Sequence, residues 1–269
     1  MYSFSYAYPT PHHERAASRV VEHFARQDGV EAVLLTCSCA RGKAAWDSCL
    51  DMVVLLDPEQ AANRRPELEQ GWTSIYPGEP VFEALLQVGP YTHVDLILTD
   101  GHFSPDRYWH GWTLGPDFFE LEIGNTFAYT VPLWQRGDAF DQLKARWLPY
   151  YDEALRQERL AMVRQYCLNN LHHIPRFVER GLYFQAFRRL YDALGEFLQA
   201  LFIARRTYPI AYDKWIQEQI VEILQLPALY PQLVQLLETH HLEGRELVGK
   251  AQILEELLEQ YTGGEIDPS

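Results

Sequence analysis

Three short apolar runs in the first hundred residues constrain the fold of this chain more than any other feature. Residues 30–36 (VEAVLLT), 49–56 (CLDMVVLL) and 93–101 (HVDLILTDG) are too short for buried helices. The second ends at Asp57-Pro58 and the third at Asp100-Gly101, both turn signals, so all three read as buried strands. Ahead of them, Ala16, Ala17, Val20, Val21 and Phe24 fall at helical spacing in residues 11–27, closed by Asp28-Gly29. Residues 118–133 read as a fourth strand, with a turn at Gly124-Asn125. Residues 58–90 and 101–117, rich in Pro, Gly and Trp, read as loops with short helices.

From residue 138 the pattern turns helical. Residues 152–180 form one candidate helix, with Pro175 as a kink. In residues 182–206, Phe187, Leu190, Leu194, Phe197 and Leu201 alternate at three and four, the seam of a helical bundle. Further helices are expected at 212–225, at 228–240 and around Leu247, Ala251, Leu254, Leu258 and Tyr261. The tail TGGEIDPS reads as frayed. The fold class is therefore α+β. A small mixed sheet with flanking helices fills residues 1–140 and an α-helical bundle fills 141–269, with any active cleft between them.

Composition removes several classes of function. A chain of 269 residues with 47% hydrophobic and 22% charged residues can build a substantial core. Its net charge of −14 argues against non-specific nucleic-acid binding, which depends on neutralising phosphates. No apolar run is long enough to span a membrane, and the N-terminus lacks the pattern of a secretory signal. Three of the four cysteines, Cys37, Cys39 and Cys49, lie within thirteen residues, unlike a secreted disulfide framework. A cytoplasmic location is the expectation.

The chemistry concentrates in CSCARGKAAWDSCLD, residues 37–51. After the first strand, Cys37, Ser38, Cys39 and Ala40 are small enough for backbone N–H groups to approach a phosphate. Arg41 and Lys43 add positive charge. Asp47, Cys49 and Asp51 then alternate, so their side chains share one face of the next strand. As a zinc cluster the three cysteines lack a fourth ligand and the usual spacing, so packing is the favoured reading.

This stretch resembles the nucleotidyltransferase superfamily, in particular the small-molecule, aminoglycoside-type enzymes, whose motif runs G-S-x-A-R-G-x-A-x-x-x-S-D-x-D. Ser38, Ala40, Arg41, Gly42, Ala44, Ser48 and Asp51 match; Cys37 stands for the glycine and Cys49 for the first aspartate. Asp95 suits the family's third carboxylate, and the appended helical region also suits the family. The resemblance implies transfer of a nucleoside monophosphate from ATP or another nucleoside triphosphate to a hydroxyl of a small molecule, with Mg²⁺. Ser38, with Arg41 and Lys43, would hold the phosphates; Asp51 and Asp95 would hold the metal and activate the acceptor.

Cys49 puts that in doubt, because sulfur is a poor ligand for magnesium. Asp47 could replace it only if the loop bends, lying about 6–7 Å along the strand from residue 49. The alternative reading is therefore a pseudoenzyme or a nucleotide- or ligand-binding module. A third reading is an interaction protein, and the oligomeric state is open.

The helical region supplies further candidates. Arg188, Asp192 and Glu196 recur at every fourth residue, either as a solvated ion-pair face or with Asp192 or Glu196 as a general base. Lys214, in RRTYPIAYDKW, either reaches the triphosphate or belongs to a structural turn at Pro209. The adjacent histidine pairs at 12–13, 172–173 and 240–241 diverge on a helix and read as surface residues.

Overall fold

The computed structural model describes residues 4–105 and 115–263. The expected loop at 106–114 and frayed tail at 264–269 lie outside the described residues. Among the described residues no helix is long and apolar enough to cross a membrane. The fold is α+β, and its contacts divide it into two units. One holds residues 4–103 and 123–148. The other holds 104–105, 115–122 and 149–263. Where the sequence pattern places one boundary near residue 140, the chain crosses between the units three times.

The first unit opens with α1, Pro11–Phe24, capped by the Thr10 hydroxyl, which accepts from the His12 N–H at 3.2 Å. Then follow β1 (Val30–Leu35), α2 (Cys37–Ala40), β2 (Leu50–Leu56), α3 (Ala61–Ile75), α4 (Pro80–Leu86) and β3 (Val94–Thr99). The sheet order is β3-β2-β1-β4, with β4 at Val131–Gln135. β1 runs antiparallel to both its neighbours, and β2 pairs in parallel with β3. Five of the six residues of β1, Val30 and Ala32 to Leu35, are fully buried, as a central strand requires. Parallel β2 and β3 need a crossover, which α3 and α4 supply.

Residues 58–90, expected as loops with short helices, hold the short α4 but also a longer helix, α3. Its fifteen residues run through Pro66. Ala61, Leu68 and Trp72 recur at seven and four and give it an inward face. Trp72 packs against Phe24, Tyr76 and Phe82, with ring centroids 5.1–5.8 Å apart. The Tyr76 hydroxyl then accepts from the Val94 N–H at 3.2 Å, anchoring the start of β3.

The expected strand at 118–133 is also overturned over most of its length. The chain instead forms α5, Phe119–Ile123, and a π-helical turn, Gly124–Ala128, before β4. Phe119, Ile123 and Phe127 are all fully buried and recur at every fourth residue, a helical rather than an alternating pattern.

After α6 (Ala139–Trp147), the helical unit is built on α7 (Glu153–Glu179) and α8 (Tyr183–Ala204), joined at Gly181, whose φ of 71° makes the tight turn. α9 (Leu229–Leu237) and α10 (Glu246–Thr262) complete it. α7 continues past Pro175, and Asp152 caps its start. The expected helix at 212–225 shrinks to a short piece containing a π-helical turn, Glu218–Ile223. Residues 210–214 instead wrap the Gln219 side chain, which accepts from Ile210 N–H at 2.7 Å and donates to the Ala211 carbonyl at 2.7 Å.

Residues 115–122 join this unit through a buried ion cluster. Arg159 of α7 donates to both oxygens of Asp117, at 2.7 and 2.9 Å, and to both of Glu120, at 2.6 and 2.8 Å. Gln199 of α8 donates to Asp117 at 2.9 Å and to Glu120 at 2.8 Å, and the Tyr151 hydroxyl donates to Glu120 at 2.6 Å. The guanidinium also lies over the Phe119 ring, 4.6 Å from its centroid. Removing the cation strands two buried carboxylates. Arg159→Met is expected to lower stability by about 3–5 kcal/mol, read as a fall in the urea midpoint of the helical unit.

Candidate functional site

The turn after β1 begins at Cys37, whose φ of 54° lies in the left-handed region. A side chain there is strained by about 1–2 kcal/mol relative to glycine. The conformation swings the chain from an extended Thr36 into the single turn of α2. Ser38 is buried to 8% exposure and lies within that turn. Four residues align few peptide dipoles, so any phosphate held here is held by individual N–H groups at the start of the helix. Gly42, with φ of 68°, closes the turn: a Cβ there would meet the Ser5 carbonyl at 2.5 Å. Lys43 is exposed, while Arg41 is enclosed at 3% exposure.

Behind the turn, His13 is fully buried, contrary to the surface reading of the histidine pairs. Its Nε2 donates to the Ser48 carbonyl at 2.9 Å and its Nδ1 accepts from the Thr10 hydroxyl at 2.8 Å. It thereby ties α1 to the residue before Cys49. His12, His172, His173, His240 and His241 are at least partly exposed.

The register of β2 and β3 pairs Asp51 with Asp95. In a parallel pair, residues side by side project to the same face. Cys49, two residues before Asp51, joins them. One donor atom from each of Cys49, Asp51 and Asp95 lies within 4.8 Å of the others. Asp47 is not part of this cluster; it sits in the turn ahead of β2, against Gly89.

The Cys49 Sγ lies 3.5 and 3.4 Å from the two Asp51 oxygens. Burial, with the Asp51 charge beside it, pushes the thiol up to about 12, so it keeps its proton near neutrality and donates a hydrogen bond to Asp51. Asp95 is half exposed, and His93 Nε2 lies 2.9 Å from its Oδ1. His93 Nδ1 faces the Tyr91 carbonyl at 2.8 Å, so a neutral ring donates to only one of the two at a time. His93 was not among the sequence-based candidates, although its position two residues before Asp95 on a strand puts it on the same face.

The donor set tests the expected magnesium. Asp51 and Asp95 are the hard oxygen ligands it takes, and Cys49 is not. As a three-ligand magnesium site the cluster does not fit.

Asp192, Glu196 and Lys214 belong to the helical unit. Asp192, buried to 8%, accepts from Arg188 at 2.9 Å; burial raises its pKa even against that partner. Glu196 is 1% exposed and accepts from Asn170 at 2.8 Å. Burial pushes it up to about 8, and Asn170 only partly offsets that. Lys214 is exposed, its carbonyl bonded to Gln219 at 3.1 Å.

No family model matches this chain, and no curated protein matches it. Among solved structures, it is similar to a nucleotidyltransferase-like protein from Exiguobacterium sibiricum 255-15. The two are 14% identical, with 92% of this chain and 74% of that one covered and a TM-score of 0.45. A likeness at that level carries no argument about chemistry, which rests on the side chains described above.

Two outcomes follow from these environments. Glycine suits the backbone of residue 37 and a β-branched residue does not. Cys37→Gly is expected to hold or gain up to about 1 kcal/mol in chemical denaturation, and Cys37→Val to lose about 1–2 kcal/mol. For Glu196, the folded-state pKa lies above the ordinary value of 4.5, so its contribution is most favourable at acid pH. It then falls by up to about 1.4 kcal/mol per pH unit as pH rises from 4.5 to 8. Glu196→Gln keeps an acceptor for Asn170 and removes that slope. Melting curves across this range should show the variant gaining on the parent as pH rises.

Proposed function

We propose that this chain binds a nucleoside triphosphate on the turn from Cys37 to Lys43 and transfers its nucleoside monophosphate to a hydroxyl of a small molecule. The observation that carries this reading is the pairing of Asp51 with Asp95 beside a tight turn of small residues. In such a transfer the acceptor oxygen bonds to the α-phosphorus, the bond to pyrophosphate breaks and the acceptor proton leaves. Ser38 and the N–H groups at the start of the turn, ahead of those of residues 40–43 that bond carbonyls within it, are suited to the outer phosphates, and exposed Lys43 brings positive charge. A divalent cation, when bound, would neutralise charge and align the reacting oxygens. Asp95, half exposed and held by His93, is suited to take the acceptor proton.

Cys49 favours a second reading, in which the chain holds the nucleotide without turning it over. The two are separated by measuring nucleotide binding by calorimetry and pyrophosphate release with a panel of hydroxyl compounds. Transfer predicts release, reduced at least about 100-fold in Asp51→Asn and Asp95→Asn, with unchanged circular dichroism. Binding without release from any acceptor supports the second reading. Absence of both sinks the nucleotide reading altogether.

A further inference from the structure

We propose that Cys49, Asp51 and Asp95 form a divalent-cation site selective for a thiophilic ion, of the zinc or cobalt kind, over magnesium. The proposal rests on the reading of Asp51 and Asp95 as cation ligands and adds Cys49 as the third. Three observations carry it.

The first is convergence. Two donors from adjacent strands and one from the residue just ahead of β2, not one run of acidic surface, bring one ligand atom each to within 4.8 Å of one another. Asp51 and Asp95 are fixed by strand register, and Cys49 by its place immediately before β2.

The second is spacing. A tetrahedral zinc with a sulfur at about 2.3 Å and a carboxylate oxygen at about 2.0 Å separates those two ligands by about 3.5 Å. The Cys49 Sγ lies 3.4 and 3.5 Å from the Asp51 oxygens. That separation, held here by an S–H···O hydrogen bond, matches the edge of a zinc tetrahedron, so the pair would need little rearrangement to take the ion. The ion would take the place of the S–H proton, which leaves to solvent as the metal–sulfur bond forms. Asp95, whose Oδ1 lies 2.9 Å from His93 Nε2, would supply the third ligand.

The third is donor chemistry. One sulfur and two carboxylates leave a fourth position open, the arrangement of zinc sites that bind a substrate or water. Magnesium gains nothing from the sulfur, whereas zinc and cobalt do.

The test uses the full chain, stripped with a chelator and titrated with Co²⁺. The expected result is a sulfur-to-cobalt charge-transfer band that saturates at one equivalent. Zn²⁺ should abolish it and excess Mg²⁺ should not. Cys49→Ser should lose the band and bind Zn²⁺ more weakly by more than the ~10–100-fold typical of losing an outer hydrogen-bond partner. Cys37→Ser, which removes the neighbouring thiol, should keep the band. Cys49→Asp should shift preference towards Mg²⁺. The proposal is overturned if the folded protein gives no such band, or if the band survives in Cys49→Ser. Failure here is distinct from failure of the nucleotide reading. Nucleotide binding without the cobalt band leaves that reading standing, and the band without nucleotide binding leaves this one standing.

Discussion

The parallel pairing of β2 with β3 is the constraint on which the candidate site depends. In a sheet a slip of one residue moves every side chain to the opposite face. Asp51 faces Asp95 only because Leu50 pairs with Val94 and each later residue follows in step. The aromatic cluster of Phe24, Trp72, Tyr76 and Phe82 has a direct part in this, since Tyr76 holds the first N–H of β3. On the other side of the sheet centre, the apolar β1 fixes β2 by antiparallel pairing. Packing in the first unit thus sets the distance between two carboxylates, a distance no local propensity encodes.

The helical unit uses a different device. α8 is buried on nearly every side from Arg189 to Ala204, so its polar residues must find partners inside. Gln199 meets Asp117 and Glu120 beside Arg159, and Glu196 meets Asn170. Such clusters contribute less to net stability than an apolar core of equal volume would, but breaking one partner is costly. Their geometry also selects one arrangement: only a segment that carries two carboxylates three residues apart satisfies Arg159 and Gln199 together. That is why residues 115–122 group with the later helices although they precede the return to the sheet.

Much of this was legible in the sequence, and the misses have physical causes. The three short apolar runs, α1, α7 and α8 announced themselves by length, spacing and turn residues. Residues 118–133 misled because phenylalanine, threonine and tyrosine favour strands on average, while the spacing of Phe119, Ile123 and Phe127 pointed to a helix. α3 was hidden by Pro66, Gly71 and Trp72, which weaken helical propensity but not the inward face at 61, 68 and 72. His13 looked like half of a surface pair, because nothing local reveals that Thr10 and the Ser48 carbonyl both reach it. At the site, the alternation of Cys49 and Asp51 was readable, and the left-handed backbone at Cys37 was not. The exclusion of Asp47 was not, because it depends on a turn packed against Gly89.

The two cysteines that depart from the resemblance differ in physical meaning. At Cys37 the change is one of backbone strain, confined to a single residue. At Cys49 it changes charge. Two carboxylates with oxygens within 4.8 Å repel by about 1–3 kcal/mol at an effective dielectric of 80 to 20, and a third would add two more such terms. A neutral thiol in that place removes those terms and donates to Asp51 instead. The cluster can therefore persist without a cation, which an all-carboxylate site of this spacing does only at greater cost. The same substitution that weakens the case for magnesium makes the cluster easier to hold without a metal, and it introduces the one donor that would discriminate between hard and soft ions.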